Sequence, residues 1–143
     1  MFKNILVPTD GSDYARRALT LALEIAQKFD AAIELLHVAH VPQIYWGEPY
    51  AAAFTVPMQE MVEKGGEQIL LDTLKDIAIG TTKIDKRQIV GYPSSVILDE
   101  INAKNIDLVV IGRHGHSGLA GAMLGSVSNR VVAHATCPVL VVK

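Results

Sequence analysis

Short runs of β-branched and aliphatic residues alternate along the chain with longer stretches in which apolar positions recur every three or four residues. That alternation marks an α/β chain built around a mostly parallel sheet. Five strands are predicted, at 3–8 (KNILVP), 32–38 (AIELLHV), 82–90, 107–111 (DLVVI) and 138–142 (PVLVV), with helices at 13–29, 56–79, 93–103 and 126–134. Ser12 is placed to cap the first helix, Asp13 suits its positive end, and Ala18, Ala22, Ile25 and Phe29 mark an inward stripe. In the second helix Val62, Ile69, Leu70, Leu74 and Ile77 are expected inward, and Gly65-Gly66 marks a bend or a close backbone contact. The third strand carries Lys83, Asp85, Lys86 and Arg87, a polarity that fits a sheet edge. Pro93 suits the first turn of the third helix, with Ile97 and Ile101 one turn apart.

At 143 residues, 50% hydrophobic and 20% charged, the sequence is expected to form one domain, 1–143, that folds without disulfides or structural metal. Cys137 is the single cysteine and reads as a small buried hydrophobe. No apolar run approaches the ~18 residues needed to span a bilayer, and the amino-terminal residues lack the apolar region of a signal peptide, so a cytoplasmic location is expected. Thirteen Lys and Arg against fifteen Asp and Glu give a net charge of −2 with no basic block, and nucleic acid is not an expected partner. The stretch 39–55 combines Pro42, Gly47 and Pro49 with Tyr45, Trp46, Tyr50 and Phe54, half of the eight aromatics in the chain. Its composition predicts an ordered segment that covers the sheet, closes over a ligand or meets another chain.

In an open parallel sheet, ligands bind beyond the carboxyl ends of the strands, where neighbouring strands send their connections to opposite faces. Two loops qualify. One presents Pro8, Thr9 and Asp10; the other runs from Gly112 to Ser126 and holds five of the eleven glycines. A glycine-rich stretch that ends at Gly125-Ser126-Val127-Ser128, where a helix begins, brings backbone N–H groups and the helix's partial positive charge to an anion. The hydroxyls of Ser126 and Ser128 either donate to phosphate or cap the helix. Asp10, an acceptor-only carboxylate at a strand end, suits sugar hydroxyls or an Asx-turn with Gly11 and Ser12.

The spacing Gly112-x-x-Gly115, nine residues, then Gly125-Ser126, together with ILVPTDGS at 5–12 and CPVLVV at 137–142, resembles the universal stress protein family of ATP-binding type. The resemblance covers nearly the whole chain and is weakest across 39–57. It implies an open five-stranded parallel sheet in the order 3-2-1-4-5 with helices on both faces, a Rossmann-like arrangement whose switch point lies between strands one and four. It further implies that Pro8, Thr9, Asp10 and Val38 surround adenine and ribose. Ile111, Gly112, Arg113 and Gly115 would then line ribose and phosphates, with Gly125, Ser126, Val127 and Ser128 binding the phosphate tail. The implied ligand is ATP, accompanied by Mg2+ or Mn2+ whose protein ligand the sequence does not identify, and the implied assembly is a homodimer. The uncharged β-prone segment 138–142 is an edge in that order, and its pairing with a twofold mate would cover it.

Other chemistries fit less well. No G-x-G-x-x-G follows the first strand and no G-x-x-x-x-G-K-[ST] occurs. Gly115-His116-Ser117-Gly118-Leu119 has Leu119 where a nucleophile elbow needs glycine. The pairs His37/His40 and His114/His116 lack the further ligands of a metal site and read as solvated or locally bonded, with donation to phosphate open to the second pair. His134, on the stripe of Val127 and Val131, reads as a core or interface residue. The expected function is a nucleotide-responsive regulatory or interaction module with slow or absent ATP hydrolysis and an unidentified protein partner. The alternatives are a small nucleotidyl-transferring or ATP-hydrolysing enzyme on a related scaffold, and a dimeric partner protein that binds no nucleotide.

Overall fold

The computed structural model describes residues 1–40, 56–115 and 124–143. Among these, strands and helices alternate as β1 (Asn4–Pro8), α1 (Asp13–Phe29), β2 (Ala32–Ala39), α2 (Val56–Leu74), β3 (Ile84–Val90), α3 (Pro93–Ala103), β4 (Leu108–Gly112), α4 (Ser126–His134) and β5 (Val139–Val142). The strands form one parallel sheet in the order β3-β2-β1-β4-β5, as expected. Strand side chains alternate between faces, so a strand buried on both sides needs apolar residues at successive positions, and β1 supplies Ile5, Leu6 and Val7. Ile5, Val7, Ile33 and Leu35 pack with Ala18, Leu19 and Ala22 of α1 and Leu70 of α2 on one face. On the other, Leu6, Leu36, Val109 and Ile111 pack with Ile97 and Ile101 of α3 and Val131 of α4.

Local chemistry accounts for most boundaries. Ser12 Oγ accepts from Ala15 N at 3.2 Å and so caps α1, while Asp30 ends it with φ 53°. Gly66 of α2 is a close contact: a Cβ there would collide with the Gln88 side-chain oxygen and lie 3.2 Å from His37 Cδ2. The glycine thus lets the helix lie close over β2 and β3. The edge strand β3 exposes Asp85 and Lys86, as its polarity predicts.

Several expectations need correction. The helix predicted over 56–79 ends at Leu74, because Asp76 turns the chain with φ 59°; Ile77 still reaches the core, from the loop rather than the helix. The stripe of α1 is centred on Ala15, Ala18, Leu19, Ala22, Leu23 and Ala26, which leaves Phe29 38% exposed with its ring 5.2 Å from that of Phe2. His134 is exposed, so it is not a core residue, and Cys137 is half-buried against the α3/α4 cluster. Gly125, not a serine, occupies the N-cap of α4, which has no side-chain cap hydrogen bond. The expectations for Tyr45, Trp46, Tyr50, Phe54 and His116 lie outside the described residues. Among the described residues no helix is long and apolar enough to cross a membrane.

Candidate functional site

The site begins where two central strands part. β1 pairs with β4 at Ile5 and Leu6, whereas its pairing with β2 continues to Pro8. Pro8 has no N–H to offer a neighbour, and it stands where the pairing with β4 has already ended. Thr9 N then donates to Leu36 O at 2.8 Å, holding the first loop against β2 while the crevice opens toward β4.

The loop after β1 is braced from three directions. Thr73 Oγ1 donates to Ile69 O at 2.7 Å, so in the 2.7 Å pair with Thr9 it is Thr9 that donates; Thr9 Oγ1 in turn accepts from Gly11 N. His37 Nδ1 lies 2.9 Å from Thr9 O, and because a carbonyl only accepts, Nδ1 carries the proton. Asp10 Oδ1 accepts from Ser12 N at 3.0 Å, which makes the Asx-turn. Its other oxygen abuts Gly115, where any Cβ would collide with it. Glycine at 115 therefore lets the two loops touch.

Arg113 and Gly125 set the second loop. Arg113 N donates to Val142 O at 2.8 Å, and Arg113 O accepts from Gly125 N at 2.7 Å and from Ser128 Oγ at 2.8 Å. Gly125 has φ −62°, a conformation open to any residue, so what glycine supplies is space: a Cβ would stand 3.3 Å from Arg113 O and 3.4 Å from His114 Cα. The Ser128 hydroxyl is committed to carbonyls of Arg113 and Gly125 and is buried, whereas Ser126 is exposed. The N–H groups of Ser126, Val127 and Ser128 open α4, positions that have no intrahelical acceptor.

Of the predicted residues, Pro8, Thr9, Asp10, Val38, Ile111, Gly112, Gly115, Gly125, Ser126, Val127 and Ser128 line one cavity of about 470 Å³; Arg113 does not. Its backbone N–H and C=O nevertheless tie β5 to the start of α4. Leu36, His37, His40, Ile69, Pro93, Ile97 and Ala15 also line the cavity and were not predicted to, and so does His114, for which donation to phosphate is one of the readings open from the sequence. Strand alternation gave a signal for Leu36, which shares a face with Val38, but the approach of α2 and α3 leaves no local pattern. The cavity lies within the range of about 300–1,000 Å³ usual for small-molecule sites, is apolar toward β2 and α3, and ends at a helix N-terminus.

His114 is buried with its ring edge-on to Tyr14 at 5.6 Å, contrary to its reading as a solvated residue. His37 and His40 both line the cavity, His37 tied to Thr9 and His40 with its ring 5.5 Å from that of Tyr92. Among the described residues no three His, Cys, Asp or Glu side chains gather as a metal site.

Away from the cavity, Glu34 and Glu100 are buried beside Arg87, whose Nη1 lies 2.5 Å from Glu100 and 3.6 Å from Glu34. Burial, reinforced by the hydrogen bond and charge of Glu100, pushes the Glu34 carboxyl up to about 7. Burial likewise raises Cys137 above an ordinary thiol, with Asp107 adding to the effect.

The sequence and the fold recur in known proteins. Universal stress protein MJ0531 of Methanocaldococcus jannaschii is 35% identical over 143 residues, covering all of this chain and 83% of its own. The structure of universal stress protein UspA from Lactobacillus plantarum superposes with a TM-score of 0.82 at 27% identity, covering 99% of this chain and 98% of its own. A universal stress protein solved in complex with cAMP matches with a TM-score of 0.64 at 26% identity, covering 99% and 97%. The Universal stress protein family matches residues 1–143, and the chain belongs to that family.

Proposed function

We propose that this protein binds ATP in the cavity between β1 and β4 and acts as a nucleotide-responsive regulatory or interaction module in a stress response. The observation that carries the reading is the convergence of the β1 loop, the glycine contacts at 115 and 125 and the first turn of α4 on one cavity. Its apolar part, at Val38, Ile97 and Ile111, suits a purine, and Asp10, at the mouth of β1, suits ribose hydroxyls. The α4 N-terminus suits phosphates, through backbone N–H groups and the helix dipole. The related structure solved with cAMP supports an adenine nucleotide as the ligand class. Mg2+ or Mn2+ would accompany the triphosphate largely through phosphate and water ligands.

On this reading hydrolysis is slow or absent. Turnover needs a group that positions water and a cation on the transferring phosphoryl, and the backbone cradle binds ground state and transition state alike. The protein works in the cytoplasm as a homodimer through β5, an edge strand whose four residues are all half-buried and uncharged. Analysis of small molecules released on denaturing the purified protein, followed by calorimetric titration with ATP, ADP and AMP, tests the ligand. An absence of adenine nucleotide binding would sink the reading. Light scattering at micromolar concentration tests the dimer, and a single-chain mass would count against it.

A further inference from the structure

β3 is one of the two edges of the sheet, and its pairing with β2 shows which amides a new neighbour would meet. Lys83 O accepts from Ile33 N at 2.9 Å, and Gly91 N donates to Ala39 O at 3.0 Å. With the register continuous from Ile84 to Val90, the odd-numbered residues turn their N–H and C=O groups to β2, and Ile84, Lys86, Gln88 and Val90 turn theirs outward. Edge strands are ordinarily blunted by shortness, by proline or by a bulge. β3 is seven residues long, reads IDKRQIV and has an unbroken register, so none of these devices closes it. Of its three charges, Arg87 is drawn to Glu34 and Glu100, and only Asp85 and Lys86 are exposed.

The same edge borders a groove of about 690 Å³ between β3 and α2. Gln88 Nε2 donates to Glu63 O at 2.9 Å, and Gly66 lets the helix lie close over that side chain, so strand and helix are held together beneath the groove. On the helix wall Glu60, Glu63 and Glu67 are exposed at helical spacing, against Lys64 and, from the strand, Lys86; among the described residues none of the five is in an ion pair. Leu71, 49% exposed, and Val90, 43% exposed, add aliphatic surface. The complement of such a wall is a long basic side chain, whose stem covers the aliphatic positions while its head reaches a carboxylate. A twofold copy paired antiparallel at β3 fits less well, because it would set its own acidic stripe beside this one. We infer that the β3 edge is the docking site for an extended, basic segment of another protein, which adds a strand to the sheet and lays lysine or arginine against Glu60, Glu63 and Glu67. The inference stands apart from the nucleotide cavity and from the opposite edge at β5.

The probes are a peptide of alternating lysine and valine, matched to the seven residues of β3, and its counterpart of alternating glutamate and valine, titrated into the 15N-labelled full chain without nucleotide. The lysine peptide should bind at least about tenfold more tightly and slow exchange of the Lys86, Gln88 and Val90 amides at least about fivefold. Lys86→Pro removes an outward N–H and a positive charge while costing no bond to β2. Strand addition therefore predicts at least about a tenfold loss of the lysine peptide, whereas attraction to the acidic stripe alone predicts tighter binding. The double variant Glu63→Lys, Glu67→Lys should reverse the preference between the peptides. Should the proline variant fail to fold, a lysine peptide N-methylated throughout, with its charge kept and its N–H groups gone, must fail to bind the wild type. Equal affinity for the two peptides, or binding indifferent to Lys86→Pro or to N-methylation, overturns the inference. So does protection of those three amides in the free protein: protection that grows with protein concentration assigns the edge to a second copy, and protection independent of concentration assigns it to the chain itself.

Discussion

The two ends of the sheet solve the same problem in opposite ways. At the amino ends, Lys3 N donates to Asp107 Oδ2 at 2.8 Å, Asn4 N shares that carboxylate, and Asp107 N returns a bond to Asn4 O at 3.0 Å. Ala32 N donates to Lys3 O and Val109 N to Pro138 O, so the polar groups where these strands begin find partners within the protein. At the carboxyl ends the same strands lead into loops that are held in place through Thr9, Asp10 and Arg113 yet leave His114 and the first turn of α4 lining a cavity. One end is finished by its own side chains and the other is shaped for a guest. Polar groups at the first end should govern stability alone, and those at the second should govern affinity.

The largest effect should come from the layer between the ends and should leave binding untouched. Native Glu34 holds its proton up to about pH 7, against 4.5 for an ordinary glutamate. The folded protein thus binds a proton that the unfolded chain releases, and the stabilisation is complete below pH 4.5 and lost as pH rises through 7. Urea denaturation should show a decline on the order of 1–3 kcal/mol between pH 5 and 8, which Glu34→Gln flattens. A wild-type profile flat across that range would show that Arg87 stabilises both carboxylates in their charged forms.

Next in size is Asp107→Ala at the closed end. Losing a partly exposed carboxylate that serves two backbone N–H groups should cost about 2 kcal/mol in urea denaturation. Nucleotide affinity should stay within about twofold, and a larger change would mean that the two ends are coupled. Gly125→Val is the mirror case at the open end: affinity for ATP should drop at least about tenfold, or ~1.4 kcal/mol, with less than about 1 kcal/mol lost from stability. A folded variant of unchanged affinity would remove the α4 N-terminus from the site. The smallest effect is expected for Thr73→Val, which leaves the buried Thr9 hydroxyl without its acceptor. About 1 kcal/mol of stability and a change in affinity of about twofold would place this brace between the two behaviours.

The sequence pattern made most of the sheet and much of the cavity legible, for identifiable reasons. Strand and helix periodicities are local, and the loops at 8–10 and 112–128 needed only the rule that parallel strands present ligands at their carboxyl ends. Contacts between distant segments were less legible. Ile77 fits the periodicity of α2 because it packs, partly buried, against the same core, but the chain reaches it after a turn at Asp76. His114 sits among glycines and reads as solvated until Tyr14, a hundred positions earlier, is seen beside it. Gly66 was readable as a close contact, though nothing within the helix names Gln88 and His37 as what it touches.

The Arg113 peptide shows how a position can matter without its side chain entering the cavity. Its N–H holds the last residue of β5 and its carbonyl receives the start of α4, so the two successive amides that meet at one residue fasten a sheet edge to a helix. Every amino acid except proline brings those two groups, and a scan of ordinary substitutions would therefore underrate the fastening. It would show instead in the solvent exchange of one amide proton, which should be among the slowest in the second loop, and in the damage done by proline alone.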